Sequence, residues 1–241
     1  ENVRNIPHHF EDTVAAIRKF HEVGVDVQIN TTVMQQNLHE LADVVKVISD
    51  AGADIWEVFF LVHVGRGSIL GAISPEEHED VCHLLWDASQ YGMIVRTVEA
   101  PFFRRVVNQR RAGGPAPATE TYRRLHDRLI EVMGPPRRQP SAHTSATRDG
   151  KGIVFVSYDG QVNPAGFLPL DVGSVRDKPL ADLYRDDETL RRIRAADFTG
   201  RCGRCEWSDL CGGSRARAFA ATGDPLAEDP ACIWQPAAVA S

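Results

Sequence analysis

Four cysteines near the C-terminal end, Cys202, Cys205, Cys211 and Cys232, constrain this chain more than any other feature of its sequence. They lie in RCGRCEWSDLCGGSRARAFAATGDPLAEDPAC as a CxxC pair, a third cysteine after five residues and a fourth after twenty more. A CxxC turn presents two sulfurs at little extra ordering cost, and the long interval lets a distant segment close the site. Four thiolates satisfy either an iron–sulfur cluster or a tetrahedral zinc, so spacing alone leaves both open. Disulfides are the lesser expectation. Only Cys82 lies elsewhere, and the opening run ENVRNIPHHF lacks the basic and then apolar order of a secretory signal, which points to a cytoplasmic setting.

With 241 residues, 43% hydrophobic and 25% charged, the chain has room for one large or two modest globular domains. A net charge of −6 argues against general affinity for nucleic acid, which shows as a basic excess. No apolar run approaches the roughly 20 residues of a membrane span. The chain opens on Glu1, and a helical pattern starts within its first ten residues, so a cropped or partial polypeptide is expected.

Residues 10 to 105 alternate between helical and extended patterns. Phe10, Val14, Ile17 and Phe20 repeat at helix spacing before Gly24, and Leu38, Leu41, Val45 and Ile48 do so before Gly52. Ser74, Pro75 and Glu77 predict a capping box at the start of a third helix. The extended runs VDVQINTTV, IWEVFFLVHV and MIVRTVEA fall between or after them. Strand alternating with helix at these lengths is the pattern of parallel βα units.

Parallel strands covered on both faces read as continuous apolar runs, and these do not. Asp26, Gln28, Asn30 and Thr32 share one face; Glu57 and His63 share another; Thr97 and Glu99 are expected to share the third. Polar side chains on one side of such a sheet indicate a wet lumen with a ligand near the C-terminal strand ends.

After Pro101 the texture changes. QRRAGGPAPAT and GPPRRQPSAHTSATRDG read as linker around the short helical pattern TYRRLHDRLIEVM. GIVFVSYDGQVNPAGFLPL predicts a hairpin turning at Asp159 and Gly160. One helix carrying Leu180, Leu183, Tyr184, Leu190 and Ile193 is expected to lead into the cysteines. The resulting boundaries are 1–106 for the βα units, 107–150 for the linker and 151–241 for a small metal-stapled domain. An alternative reading is a non-catalytic, zinc-stapled binding module on a degenerate α/β domain.

The runs VQINTTVMQQNLHEL, FFLVHVGRG, EAPFFRRVV, VSYDGQVNPAGFLPLDVGSVRDKPLADLY and CGRCEWSDLCGGSRARA with its trailing DPAC resemble radical SAM enzymes with a SPASM-type extension. The resemblance implies an α/β fold in which the C-terminal part of an open (β/α)6 partial barrel precedes a small α+β SPASM-type cysteine-rich domain. It also implies that Cys202, Cys205, Cys211 and Cys232 bind one auxiliary 4Fe-4S cluster. Ala165 and Arg215 stand where relatives with two auxiliary clusters carry cysteines. The family's CxxxCxxC is absent from these residues, so its expected place is upstream of Glu1 and the chain alone is expected to be inactive.

An intact relative uses that second 4Fe-4S cluster to cleave S-adenosylmethionine to a 5′-deoxyadenosyl radical. The resemblance makes Asn30, His63 and Arg66 the candidate S-adenosylmethionine contacts, with Glu99 facing the same lumen. It implies an electron donor such as a flavodoxin or ferredoxin and a peptide or tetrapyrrole substrate. Arg104 and Arg105 are candidate partners for tetrapyrrole propionates. Arg204 and Arg217 either tune the cluster or pair with nearby acids, whereas Arg215 is expected to pair with Asp209, Asp224 or Glu228.

Overall fold

The computed structural model describes residues 6–63, 71–144 and 147–237. The first helix, α1 (His9–Glu22), is followed by β1 (Gln28–Val33), α2 (Leu41–Ala51), β2 (Ile55–Phe60), α3 (Pro75–Ala88) and β3 (Ile94–Val98). The strands form a parallel sheet in the order β1-β2-β3, so the fold is mixed α/β with the predicted alternation.

Local chemistry sets the helix ends. Ser74 Oγ accepts from the Glu77 amide at 3.1 Å while Glu77 Oε2 accepts from the Ser74 amide at 2.7 Å, closing the predicted capping box of α3. Gly52 stops α2 at φ +87, a conformation open to glycine because it lacks a Cβ. Leu38, Leu41, Val45 and Ile48 are all buried against the helix side of the sheet. In α1 only Ile17 of the four predicted apolar positions is buried, and Phe10 and Phe20 are 57% and 52% exposed. This helix packs on α2 beside the outer strand, so only one flank reaches the core.

The helical layer continues through α4 (Phe103–Arg111) and α5 (Glu120–Met133). The latter lies in the 107–150 segment, yet Tyr122, Leu125 and Leu129 bury its inner face against α2 and α3. The Tyr122 hydroxyl donates to Asp87 at 2.6 Å. Residues 141–143 run beside β3: the Val95 amide donates to Ser141 O at 3.1 Å and the His143 amide to Val95 O at 2.9 Å.

The remaining strands are short: β4 (Arg148–Asp149), β5 (Gly152–Ile153), β6 (Phe155–Val156), β7 (Gln161–Asn163) and β8 (Gly173–Ser174). β6 and β7 form the predicted antiparallel hairpin around residues 157–160, with Gly160 at φ +93. The single helix expected from Leu180 to Ile193 is two, α6 (Leu180–Asp186) and α7 (Glu188–Arg194). Asp187 breaks it, because its Oδ1 accepts from the Leu190 amide at 2.8 Å and caps α7. Last come α8 (Gly200–Arg204) and α9 (Arg215–Thr222). Cys211 and Ala231 belong to the same apolar core as the sheet, so the cysteine-bearing segment is packed onto the βα units. No helix among the described residues is long and apolar enough to cross a membrane.

Candidate metal centre

The four cysteines reach one place from four local structures. Cys202 sits on α8 and Cys205 caps its end in extended conformation. Cys211 closes the next turn, its amide donating to Trp207 O at 2.7 Å, and Cys232 ends a turn in which its amide donates to Asp229 O at 3.2 Å. All four line a single small cavity together with Trp207, Gly213 and Trp234. All five cysteines of the chain are free thiols.

Backbone donors are already aimed at the sulfurs. The amides of Trp207, Gly213 and Asp229 donate to Sγ of Cys205, Cys211 and Cys202 at 3.4, 3.4 and 3.5 Å. Gly213 holds φ +61, and an added Cβ would lie 2.6 Å from Arg215 Nη2, 2.7 Å from Asp229 Cβ and 3.2 Å from Cys202 Sγ. The loop therefore approaches the sulfurs as closely as only glycine permits. Burial pushes the Cys211 thiol up to about 12 and Cys232 to about 11. Bare thiols here keep their protons, whereas a bound cation deprotonates them outright.

This surrounding fits a metal group. The donor set is four soft sulfurs, and Trp207 Nε1 is buried with no hydrogen-bond partner among the described residues. No three His, Cys, Asp or Glu side chains among the described residues form a group that holds a metal ion by themselves. The four cysteines line one shared cavity.

Arg215 differs from expectation. It is fully buried and pairs with none of Asp209, Asp224 and Glu228. Its Nη1 donates to Pro225 O at 2.9 Å and Ala227 O at 2.7 Å, its Nη2 lies 3.8 Å from Cys202 Sγ, and it stacks 4.3 Å over Phe198. The acids are engaged elsewhere: Glu228 with Arg201, Asp209 with Lys151, and Asp224 within its own turn. Arg217 instead spans the two halves, donating to Asp229 at 3.0 Å and to Glu99 O at 2.6 Å.

A cavity of about 400 Å³ adjoins this centre, between the end of β3, β4 and the Gly213–Ser214 turn. Glu99 enters it from a left-handed backbone, φ +60, and its carboxylate accepts from the Ser214 hydroxyl. Burial and then the charge of Asp149 raise Glu99 to about 7, and burial raises Asp149 as well. The two carboxyls repel as like charges and together hold a proton more readily than isolated acids.

The strand register corrects the third expected face. Asn30 pairs with Glu57 and Glu57 with Arg96, so Arg96 shares their open face. Thr97 pairs with fully buried Val58 and its hydroxyl donates to Ala100 O at 3.3 Å, while the residue still borders the cavity beside Arg96 and Glu99. The apolar Ile94 and Val98 on the open face disguise this alternation in sequence. Glu99 returns to the cavity through its left-handed turn. Arg96, His143, Arg148 and Asp149 were missed as cavity residues; the last three lie in or beside the segment read as linker.

Asn30 is exposed on β1, with Oδ1 accepting from Gln28 Nε2 at 2.9 Å. His63 is exposed beyond β2, and Arg66 lies outside the described residues. Arg105 is buried, bonded to Glu79 at 2.5 Å and stacked 4.8 Å over Trp234. Arg104 bonds to Leu210 O at 3.0 Å and to Thr147 O. Both arginines tie the cysteine segment and its neighbours to the sheet, which removes Arg105 from the candidate propionate partners.

The chain is 35% identical over 240 residues to an AdoMet-dependent heme synthase of Oleidesulfovibrio alaskensis, covering 98% of this chain and 58% of that protein. The chain is similar to AdoMet-dependent heme synthases. Another, from Methanosarcina barkeri, is 34% identical over 238 residues, covering 98% of this chain and 64% of the heme synthase. A pre-heme d1 synthase of Dinoroseobacter shibae is 28% identical over 244 residues, covering 92% and 55%. The chain thus spans less than two thirds of the length of these heme synthases. No protein-family model matches it.

Proposed function

We propose that this chain is part of an AdoMet-dependent radical enzyme that modifies a tetrapyrrole. The lining of one cavity by four cysteines, with backbone amides on three of the sulfurs, carries the reading. In it Cys202, Cys205, Cys211 and Cys232 hold one auxiliary 4Fe-4S cluster in a SPASM-type domain over 151–241. Residues 1–106 are the later βα units of an open partial barrel, and 107–150 connect the two. The identity of 34–35% to heme synthases supports a tetrapyrrole over a peptide.

When bound to the enzyme's other cluster, AdoMet supplies a 5′-deoxyadenosyl radical. The protein's own residues orient and exclude water. Asn30 on β1 and His63 beyond β2 serve the cofactor, and Arg66 takes the same role by its resemblance in sequence. Trp207 and Trp234 shield the thiolates from solvent, and Arg215 offsets their negative charge. Four cysteine ligands leave no open position, so this cluster passes electrons or holds structure; an external flavodoxin or ferredoxin supplies them.

Anaerobic reconstitution with iron and sulfide tests the centre. About four irons and four labile sulfides per copy of residues 1–241, lost in Cys205→Ser, are expected. One tight zinc without labile sulfide overturns the cluster. The full-length protein is expected to form 5′-deoxyadenosine under reducing conditions, and reproducible failure removes the radical chemistry.

A further inference from the structure

The cavity beside the metal centre contains one cation that the fold does not use. Arg104 and Arg148 both line it, and both are committed: Arg104 to Leu210 O and Thr147 O, Arg148 to Ser208 O at 2.9 Å and Asp209 O at 2.6 Å. Arg96 also lines it, and its Nε is buried with no partner. Among the described residues its guanidinium makes no ion pair or hydrogen bond. Arg96 is half-buried, with Nε shut off from water, so a ligand that reaches the guanidinium supplies the partner that the fold does not.

Its neighbours define what that partner is. Glu57 lies directly across from Arg96 in the sheet, but its carboxylate accepts from Gln28 Nε2 at 2.8 Å and forms no ion pair with Arg96 among the described residues. Glu99 and Asp149 line the same cavity, and their raised proton affinities leave the pair less than fully charged near neutrality. Arg148 is also paired with Asp209 Oδ1 at 3.4 Å, which leaves Arg96 as the cavity guanidinium with no bonded partner among the described residues. That cation admits one negative charge, whereas a phosphate dianion would meet repulsion from Glu57 and Glu99. A planar carboxylate also matches the guanidinium fork with two parallel hydrogen bonds.

We propose that Arg96 anchors a carboxylate of the substrate in the cavity between β3, β4 and the Gly213–Ser214 turn. The volume suits a carboxylate-bearing side chain and the ring edge that carries it. Only the source of the carboxylate rests on the tetrapyrrole reading: there it is a propionate. The anchor makes Arg96 a positioning residue, fixing which edge of the substrate faces the sheet while the reacting carbon lies elsewhere.

The test uses full-length, reconstituted protein saturated with AdoMet, so that the cofactor's own carboxylate is already placed. The small probes are 3-phenylpropionate and 3-phenylpropionamide; the large ones are a porphyrin bearing propionates and its methyl ester. Wild type is expected to prefer each acid over its neutral partner. Arg96→Gln is expected to weaken acid binding by about 10- to 100-fold and leave the neutral probes unchanged. Arg96→Lys keeps the charge without the fork and is expected to lose less, which reads the site even if the glutamine variant fails to fold.

Equal affinity of wild type and both variants for the acids overturns the anchor. So does a wild type that does not discriminate acid from amide, or 3-phenylpropionate binding that occurs only when AdoMet is left out. Binding of 3-phenylpropionate through Arg96 without any porphyrin binding upholds the anchor and overturns the tetrapyrrole reading instead.

Discussion

Arg215→Met removes a fully buried cation that has no carboxylate partner, and the structure fixes what that costs. The guanidinium satisfies the carbonyls of Pro225 and Ala227 at 2.9 and 2.7 Å, with a longer bond to Gly213 O at 3.3 Å. Hydrogen bonds to a charged group are each worth roughly 1.5–3 kcal/mol, and the two short ones set the scale at about 3–6 kcal/mol. Methionine fills much of the volume over Phe198, which holds the expected loss to about 3–4 kcal/mol. In a chain of this length that is a fall in melting temperature of about 6–16 °C. Urea unfolding of wild type and variant, both metal-free, measures it from the midpoint at constant slope. A loss below about 1 kcal/mol refutes the argument, because the carbonyls would then have found donors elsewhere. Loading the centre adds a further expectation. Arg215 lies 3.8 Å from Cys202 Sγ, so the variant is expected to release iron to a chelator faster than wild type.

Glu99 links stability to pH. Its folded pKa is raised from 4.5 to about 7, so its contribution is complete below about pH 4.5 and is lost as pH rises through 7. Glu99→Gln is expected to flatten that decline and to gain about 1–3 kcal/mol over the parent at pH 8. Urea midpoints at pH 5 and pH 8 check it, and an unchanged slope rejects the assignment to Glu99. Leu129→Ala, at a fully buried position of α5, is expected to cost about 2–5 kcal/mol in the same assay. A cost under 1 kcal/mol would mean that α5 is no part of the cooperative body.

The sequence was most legible where one residue type does one local job. Ser74, Pro75 and Glu77 announce the start of α3 because capping is a contact over three residues. The alternation of strand and helix was legible for the same reason. Most errors arose where a distant partner decides. One error was itself local: the leucines and isoleucine from 180 to 193 look continuous, and the cap that Asp187 makes three residues on, with the Leu190 amide, splits them. Arg215 looks like a surface ion-pair former, and only the fold shows carbonyls from residues 225 and 227 converging on it. The face of β3 was misassigned because Ile94 and Val98 are apolar on an open side, which leaves register, a long-range property, to settle Arg96. Phe10 and Phe20 announced a helix correctly, but periodicity carries no information on how much of its face finds a neighbour.

Residues 141–144 and 147–149 are each held by backbone or side-chain bonds to other parts of the fold. The Ser141 and His143 backbone is bonded to Val95 of β3, and Arg148 is bonded to the carbonyls of Ser208 and Asp209 between the second and third metal-site cysteines. His143, Arg148 and Asp149 all form part of the cavity wall, so one wall residue, Arg148, also holds the loop between two of the four cysteines. If the four cysteines hold the proposed cluster, Arg148 is one residue through which the substrate wall and the cluster's surroundings are inherited together.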